Sequence, residues 1–234
     1  MTPGARISAV VELLDKIDRS FSQAEEVISA YVRGRRYIGS KDRRFISETV
    51  YSMFRRNAHL NWWTRSGSSR DKMIAYLARI ESMPAREINQ LFDGMNYNPA
   101  PLSLAEIDLI TSASRASAAS GLALPGWVQA EFPEWLYEGM ASYWGQNFNT
   151  EAQALNMPAP VDLRVNTLKA SCNRVLKILK NDSLVAEPTP YSPLGLRLTV
   201  RRNLQATTAF KSGFVEIQDE GSQLIALLTD ANSD

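Results

Sequence analysis

The first 120 residues carry apolar side chains at the spacing of an α-helix. Such residues recur every three or four positions, which places them on one face of a helix. The runs lie at residues 7–17, 27–32, 45–54, 73–80, 88–92 and 107–110. Before residue 160, the chain has no clear two-residue alternation of apolar and polar positions, the pattern of a half-buried strand. The chain is therefore predicted to begin with an all-helical domain, residues 1–125.

Three of these helices have candidate N-caps. Ser22 with Glu25, and Ser103 with Glu106, have the Ser-x-x-Glu spacing of a capping box. In that motif the two side chains satisfy backbone N–H groups at the start of the helix. Ser40 stands ahead of the third apolar run and is predicted to cap it.

The pattern changes after Pro158. The run VDLRVNT, residues 161–167, alternates, with apolar side chains on one face and Asp162, Arg164 and Asn166 on the other. This period of two predicts a strand with one buried face.

Further elements complete a small α/β unit, residues 158–212. GLRLTV at 195–200 predicts a second strand, and a short strand is expected near residues 184–187. Ser171 is predicted to cap the helix between the first two strands. A unit of this size cannot hold a large active site by itself.

Between the helical domain and the α/β unit, residues 126–157 are predicted to form a helical linker. The preceding stretch, TSASRASAASGLALPGW at 111–127, is small and polar, and it is either a domain boundary or an ordinary surface loop. The aromatic side chains of the linker are expected to pack, with stacking on nucleobases as the alternative. They are Trp127, Phe132, Trp135, Tyr137 and Trp144.

The last residues, 213–234, have a strand-like run followed by a helix-like run. GFVEIQ predicts a strand, and the largely apolar run Gln223–Leu228 predicts a helix. Strand followed by helix is how an α/β domain begins. The segment is therefore predicted to start a further α/β domain, with its helix either docked on the α/β unit or loosely ordered.

Composition excludes several classes of protein. The chain is 44% hydrophobic, which is enough for a core. No apolar run approaches the roughly 20 residues of a membrane span, and the N-terminus has no signal-peptide pattern. A single cysteine, Cys172, and a single histidine, His59, argue against disulfides and against a zinc site. These features predict a cytoplasmic protein without a metal.

No catalytic apparatus can be assembled from these residues. Cys172 and His59 are far apart in sequence and fall in different predicted domains. No phosphate-binding loop, dinucleotide-binding glycine motif, HExxH motif or GxSxG motif occurs. The sequence therefore predicts neither a catalytic residue nor a cofactor-binding residue in this chain.

Positive charge is concentrated in one place. The net charge is +1, yet residues 33–56, hereafter the basic segment, contain eight Lys or Arg against two acids. Such a local excess fits a phosphate-binding surface, and a solvated charged face is the plain alternative. The candidate RNA contacts in it are Arg33, Arg35, Arg36, Lys41, Arg44 and Arg55.

Helical winding separates the cations of the third helix. Lys41, Arg44 and Arg55 fall opposite its apolar face, where Glu48 can pair with Arg44 at a spacing of four residues. Arg43 falls at the edge of the apolar face, so it is predicted to have a structural role, bonded to a neighbouring helix or a buried carboxylate.

Several stretches resemble known families. DRRFISETVYSMFRR, on the third helix, resembles the core helix of NusB-like RNA-binding domains. LNMPAPVDLRVNTLKASCNRVLKIL, then PTPYSPLGLRL, then FKSGFVEIQDEGSQLIALL resemble, in this order, the RsmB/Sun family of RNA cytosine-5 methyltransferases. The resemblance covers nearly the whole chain and is strongest from about residue 150.

The resemblance implies a domain order and a reaction. In that family a NusB-like helical domain and a small RRM-like α/β unit precede a Rossmann-like domain that binds S-adenosylmethionine. The fold expected for this chain is thus α+β and multidomain, with residues 213–234 beginning the Rossmann-like domain. The intact enzymes methylate carbon 5 of cytosine in small-subunit ribosomal RNA, so ribosomal RNA is the implied partner. A monomer is expected.

The family's catalytic motifs are not in this sequence. Neither its Gly-rich cofactor loop, which looks like DLCAGxGGKT, nor its Pro-Cys and Thr-Cys motifs occur, and Cys172 matches neither of the latter. The chain alone is therefore expected to be the N-terminal part of such an enzyme, inactive and without bound S-adenosylmethionine. The rival interpretation is a stand-alone NusB-like module that binds RNA or protein in transcription antitermination.

The resemblance also points to residues of the α/β unit. Arg164 and Asn166 match the family's RVN run and share a strand face, and Lys169 extends the same basic surface. They either contact RNA or brace the unit against the next domain. Gln218 and Asp219 match the QDE run, where Asp219 either caps the following helix or lies near a cofactor.

Overall fold

The chain divides into two units, Met1–Asn156 and Met157–Asp234. The computed structural model describes residues 1–65, 67–119, 124–200 and 204–230, without the side chains of 112–119. Each unit has its own apolar core. In the described part the first unit is helical, and the second contains a four-stranded sheet. The chain is thus an α+β protein, as predicted.

The helices of the first unit follow the apolar runs of the sequence. Its first seven are α1 Pro3–Asp18, α2 Ala24–Arg33, α3 Ser40–Arg55, α4 Asn57–Thr64, α5 Ser69–Ala75, α6 Ala85–Leu91 and α7 Leu104–Ala119. Helix α5 continues directly into a π-helical turn, Tyr76–Ile80.

The core of this unit forms where α1 packs on α3 and α5. Val10 and Leu13 of α1, Ile46 and Val50 of α3, and Met73 of α5 are all fully buried. Each pair is three or four residues apart, so the helical period alone brings both members to the same contact.

Only some of the N-caps predicted from the sequence form in the structure. Ser103 and Glu106 form the predicted capping box, with the Ser103 N–H donating to Glu106 at 2.7 Å and the Glu106 N–H donating to Ser103 Oγ at 3.3 Å. The prediction for Ser22 is wrong, because α2 begins at Ala24 after an N-cap at Gln23. Ser40 is also not a cap: it is the first helical residue of α3, behind Gly39.

A second apolar cluster lies in the rest of this unit. It is built on α8 Gly126–Gln129, α9 Glu134–Trp144 and α10 Phe148–Asn156, with a 3-10 turn, Gly145–Asn147, before the last. Phe132 and Phe148 are buried in it, and Tyr137 and Trp144 pack against them. Packing was the expectation for these aromatic residues, but Trp135 is 82% exposed.

The small polar stretch 111–127 is not a continuous loop. Residues 111–119 complete α7. Ala is the strongest helix former, and alanines recur through this stretch, which explains the difference. Residues 120–123 lie outside the described residues.

The second unit has the order βαββαβ, followed by one helix. Its elements are β1 Val161–Val165, α11 Cys172–Asn181, β2 Ala186–Pro188, β3 Gly195–Leu198, α12 Thr208–Lys211, β4 Val215–Ile217 and α13 Glu220–Leu228. The sheet order is β2-β3-β1-β4, with all neighbours antiparallel. This connection pattern is the ferredoxin-like arrangement.

The alternation predicted for β1 holds for its apolar side. Leu163 and Val165 are buried with Leu196 and Leu198 of β3, and α11 covers them through Val175 and Leu179. Ser171 caps α11, accepting the Arg174 N–H at 3.4 Å, as predicted.

On the opposite face of the sheet, Asp162 differs from its predicted solvent position. It is only 3% exposed, although its neighbours in the pattern are polar. The reason is tertiary: the start of α13 packs on β1 at this position.

Among the described residues, none of the helices combines the length and apolarity needed to cross a bilayer.

Candidate nucleic-acid interface

The connection between α2 and α3 presents free cations. Arg33 at the end of α2, Arg36 in the connection and Lys41 in the first turn of α3 are all exposed. Within the described part of the chain, none of the three makes an ion pair or a side-chain hydrogen bond. Tyr37, between them, is 67% exposed. These three charges are therefore available to a solute.

Arg35 is different from its neighbours, because it is engaged inside the unit. Its Nη2 lies 2.8 Å from Glu12 Oε1, and its guanidinium carbon lies 3.7 Å from the centre of the Tyr31 ring. The Tyr31 hydroxyl donates to Glu12 at 2.7 Å. Burial raises the pKa of Tyr31 well above its usual value, and the hydrogen bond to Glu12 adds to the rise. Arg35 thus holds α2 against α1.

The face of α3 that carries Lys41, Arg44 and Arg55 is cationic but partly neutralised. The predicted pair of Arg44 and Glu48 forms at 2.8 Å with both side chains exposed. Arg55 is half-buried at the end of the helix. Arg43 was expected to bond to a neighbouring helix or a buried carboxylate; its Nε instead donates to the Ile38 carbonyl at 3.0 Å, in the connection before α3.

An open groove of about 930 Å³ runs beside α2. Lys16, Arg33 and Arg35 line it, and so do Glu25 and Glu26. Carboxylates repel a phosphate, so this groove is less suited to a nucleic-acid backbone than the connection itself. The cations of the basic segment therefore differ in their surroundings. Some are free, some are paired with a carboxylate, and some line the groove.

The second group of predicted residues, Arg164, Asn166 and Lys169, is hereafter the β1 cluster. Arg164 pairs with Glu216 of β4 at 2.5 Å. Asn166 donates to the Gly213 carbonyl at 3.3 Å, and Lys169 donates to the Ser212 carbonyl at 3.2 Å. All three contacts join the end of β1 to β4 and the turn before it.

Sequence reasoning missed a polar network under α13. Asp162 accepts two hydrogen bonds from Arg197, at 2.7 and 2.8 Å, and Arg197 also lies 3.5 Å from Glu220. The bonds from Arg197 hold the pKa of Asp162 below its usual range despite burial. A signal was present: opposite charges stand at alternating positions of two predicted strands, where cross-strand pairs form.

Helix α13 is attached at its first turn. Asp219 caps it, accepting the Gly221 N–H at 2.8 Å, which is one of the two roles considered for this residue. Glu220 accepts the N–H groups of Tyr191 and Ser192 at 2.7 and 2.8 Å, and Gln223 bonds to the Ser192 hydroxyl at 2.7 Å.

Two further features of the first unit had no sequence signal. The carboxylate of Glu131 is buried and accepts the N–H groups of Ala58 and His59 at 2.9 and 3.3 Å, as well as contacting His59 Nδ1 at 2.5 Å. Arg79, on the π-helical turn, stacks on Trp63 with its Nε buried and unbonded among the described residues. Both depend on contacts between residues distant in sequence.

Comparison with known proteins agrees with this fold. Residues 132–205 match the family model of the ferredoxin-like domain of RsmF/B-like methyltransferases. The crystal structure of PH0851 superposes on 99% of this chain with a TM-score of 0.64, covering 56% of that chain at 14% identity. At that identity the superposition shows a shared fold. The class of protein is thus an α+β protein with a methyltransferase-associated ferredoxin-like domain.

Curated relatives that share one name match part of this chain. Ribosomal RNA small subunit methyltransferase B of Pseudomonas syringae pv. tomato is 28% identical over 99 residues, which are 42% of this chain and 22% of that protein. The protein of the same name from Photorhabdus laumondii is 31% identical over 91 residues, 39% of this chain and 21% of that protein. The resemblance to the N-terminal part of RsmB/Sun-family proteins is confirmed. The matched region is less than a quarter of the length of these relatives.

Proposed function

We propose that this chain is the RNA-recognition portion of an S-adenosylmethionine-dependent methyltransferase that modifies carbon 5 of cytosine in small-subunit ribosomal RNA. The names of the curated relatives support the ribosomal RNA substrate. The observation that carries RNA recognition is the group of exposed cations Arg33, Arg36 and Lys41, which have no anionic partner in the described part of the chain.

Free cations favour phosphate binding for an energetic reason. A paired arginine must give up its carboxylate before it can bind a phosphate, whereas a free one exchanges only water and counterions. Neutralising phosphates releases counterions from the nucleic acid, which makes binding favourable and dependent on salt. Arg33, Arg36 and Lys41 are therefore the proposed primary contacts, and Arg44 and Arg55 extend them along α3.

The β1 cluster has a different proposed role. Arg164, Asn166 and Lys169 all bond within the second unit. We propose that they brace the turn before β4. Arg164 and Glu216 are both well exposed, so Arg164 is the member of the cluster that can exchange its partner for an RNA phosphate.

The catalytic step is proposed to belong to the intact family protein. S-adenosylmethionine is its methyl donor, and the 234-residue chain alone is proposed to recognise RNA without transferring a methyl group. This proposal is supported by the sequence of these 234 residues, in which neither the Gly-rich cofactor loop nor the Pro-Cys and Thr-Cys motifs implied by the resemblance occur.

Charge reversal tests RNA recognition. We expect the triple variant Arg33→Glu, Arg36→Glu, Lys41→Glu to lose most of its affinity for unmodified small-subunit ribosomal RNA at low salt. Its log-affinity against log-salt slope should fall by about 2, since single-stranded RNA contributes about 0.7 per neutralised phosphate. Binding is measured by fluorescence anisotropy at several salt concentrations.

The matched control changes the net charge equally. Arg86, Lys177 and Lys180 are exposed and have no ion pair among the described residues. Reversing these three should leave the affinity within about threefold of the unchanged chain, an effect smaller than one phosphate contact. If the two triple variants lost RNA affinity equally, net charge alone would explain the effect, and the proposed site would be overturned.

A further inference from the structure

An irregular turn interrupts the helical bundle of the first unit. At Tyr76–Ile80 the helix widens to π geometry, and the Glu81 N–H donates to the Tyr76 carbonyl at 3.0 Å, five residues back. π-helical turns are rare and occur frequently at functional sites. This turn carries Arg79.

Arg79 is half-buried and has no anionic partner among the described residues. Its guanidinium carbon lies 4.8 Å from the centre of the Trp63 ring. Its Nε is buried without a hydrogen-bond partner in the described part of the chain, and burial lowers the pKa of this guanidinium. A buried N–H of a charged group that makes no hydrogen bond is destabilising, so this arrangement needs a compensating reason.

Four other half-buried arginines have a carboxylate partner. Arg6 binds Asp42, Arg35 binds Glu12, Arg70 binds Glu106 and Arg197 binds Asp162, each at 2.8 Å or less. The protein thus supplies a carboxylate to these guanidinium groups but not to Arg79.

A second cation without a partner lies in the same region. Arg55 is half-buried and makes no ion pair among the described residues. Burial raises the pKa of Tyr76 to about 12, helped by its hydrogen bond to Glu81, and the nearby charge of Arg55 opposes the rise. Arg55 is three residues after Ser52 on α3, and the Tyr76 hydroxyl donates to Ser52 Oγ at 3.0 Å; Tyr76 in turn is three residues before Arg79.

Trp63 forms a fixed support for Arg79. Its other ring contact is His59, 5.0 Å away between ring centres, and His59 is itself held by Glu131 at 2.5 Å. A guanidinium stacked on a fixed indole loses little freedom when it binds an anion, and its planar edge matches two oxygens of a phosphate.

We propose that Arg79, supported by Trp63 and assisted by Arg55, binds a phosphate group of the RNA backbone. This inference rests on the proposed function, since it extends the RNA path along the first unit. One face of α3 carries Lys41, Arg44 and Arg55. An RNA strand bound at the start of α3 can therefore follow this face to Arg55, about 20 Å further along the helix. This continuity favours RNA over a carboxylate of a partner protein.

The only acidic group bonded to Tyr76 in the described chain does not occupy the proposed site. Glu81 accepts the Tyr76 hydroxyl at 2.6 Å. Together with Arg6 it lines a separate apolar cavity of about 200 Å³, to which neither Arg79 nor Trp63 contributes.

Substitution of Arg79 tests the site in the 234-residue chain. The probe is a fluorescein-labelled single-stranded RNA of about 16 nucleotides, the upper site size for a single-strand-binding domain. We expect Arg79→Gln to weaken binding about tenfold, the loss of one charged hydrogen-bonded contact. The log-log salt slope should fall by about 0.7. Arg86→Gln, an exposed control without an ion pair in the described part of the chain, should change neither value.

A stability measurement separates binding from packing. Because Arg79→Met removes a desolvated, unbonded charge and keeps the contact with Trp63, we expect its Tm to equal or exceed that of the unchanged chain. Weaker RNA binding without a loss of stability supports the site. A much lower Tm for both the Met and the Gln variant assigns Arg79 to packing and overturns it.

The remaining outcomes separate this inference from the proposed function. If charge reversal of Arg33, Arg36 and Lys41 weakens RNA binding but Arg79→Gln does not, this inference fails alone. If the unchanged chain binds no RNA at low salt, both fail. If poly-glutamate binds as tightly as RNA and shows the same loss with Arg79→Gln, the site takes a protein carboxylate and the RNA assignment is overturned.

Discussion

Individual charged residues in this protein act either as structural partners or as free charges. Asp162 and Arg197 illustrate the first role: the carboxylate is 1% exposed and receives two hydrogen bonds. Removing one partner of a buried pair leaves the other charge uncompensated, which is far more harmful than losing an exposed pair. The same residue type therefore has different consequences at different positions.

Asp162 should make stability depend on pH. Its folded pKa lies below the unfolded value, chiefly because Arg197 donates to it, so its contribution is present above the unfolded pKa of about 4. The contribution is lost as pH falls through the lower, folded pKa. We expect Asp162→Asn to reduce the free energy of unfolding by about 3 kcal/mol at pH 7 and to flatten the fall below pH 4. Urea denaturation at a series of pH values measures both.

The control for this residue is the exposed pair on the next strand. Glu216→Gln breaks the contact with Arg164, but both side chains are exposed, so a change below about 1 kcal/mol is expected. An Asp162→Asn variant that matched Glu216→Gln in stability and pH profile would contradict the structural role of Asp162.

At the scale of elements, some helix ends are stabilised by residues close in sequence and others by residues far away in sequence. Ser103, Ser171 and Asp219 bond to N–H groups two or three residues away, and such caps follow from local sequence. Helix α4 has no local cap of this kind, and its first N–H groups are bonded by Glu131, more than 70 residues later. Only tertiary folding brings that carboxylate to the helix.

Glu131 should therefore stabilise α4 from a distance. We expect Glu131→Ala to reduce the free energy of unfolding by about 2–4 kcal/mol, because it leaves two N–H groups and the His59 ring without their acceptor. Hydrogen exchange of the Ala58 and His59 amides should accelerate most. Glu138→Ala, an exposed change on α9, should be nearly neutral and serves as the reference. Uniform acceleration across the first unit would argue against a local capping role.

At the scale of the whole molecule, α13 is attached to the second unit by its polar first turn. Glu220 and Gln223 are buried, while Ile225, Leu227 and Leu228 are 67%, 45% and 83% exposed. Docking was one of the two alternatives expected for this helix, and it holds for the first turn. Beyond the first turn, Ile225 and Leu228 stay largely exposed among the described residues.

A methyl-transfer assay tests the proposal that this chain recognises RNA without transferring a methyl group. We expect no transfer from labelled S-adenosylmethionine to unmodified small-subunit RNA by the 234-residue chain, measured by retention of label on RNA. An intact RsmB-family enzyme under the same conditions is the positive control. Label on cytosine with this chain alone would show that it is catalytically competent.

Much of the fold was predictable because it follows from local periodicity. The apolar spacing in α1 and α3 and the alternation in β1 each identify an element and its buried face. Predictions failed at Ser22 and Ser40, because α2 begins two residues after Ser22 and α3 begins at Ser40 itself. The alternative for residues 111–119 failed because alanine content favours helix over loop.

What the sequence determined by itself was most of the helices and strands, the position of the basic segment and the family resemblance, since each depends on residue types at short spacing. The tertiary structure decided which charges are free. It pairs Arg35 with Glu12 and Arg197 with Asp162, and it leaves Arg79 on Trp63 with no anion among the described residues. Ion pairs form across tens of residues and depend on distances of a few ångströms. Spacing along the chain cannot specify such distances, but packing of the helices and sheet does.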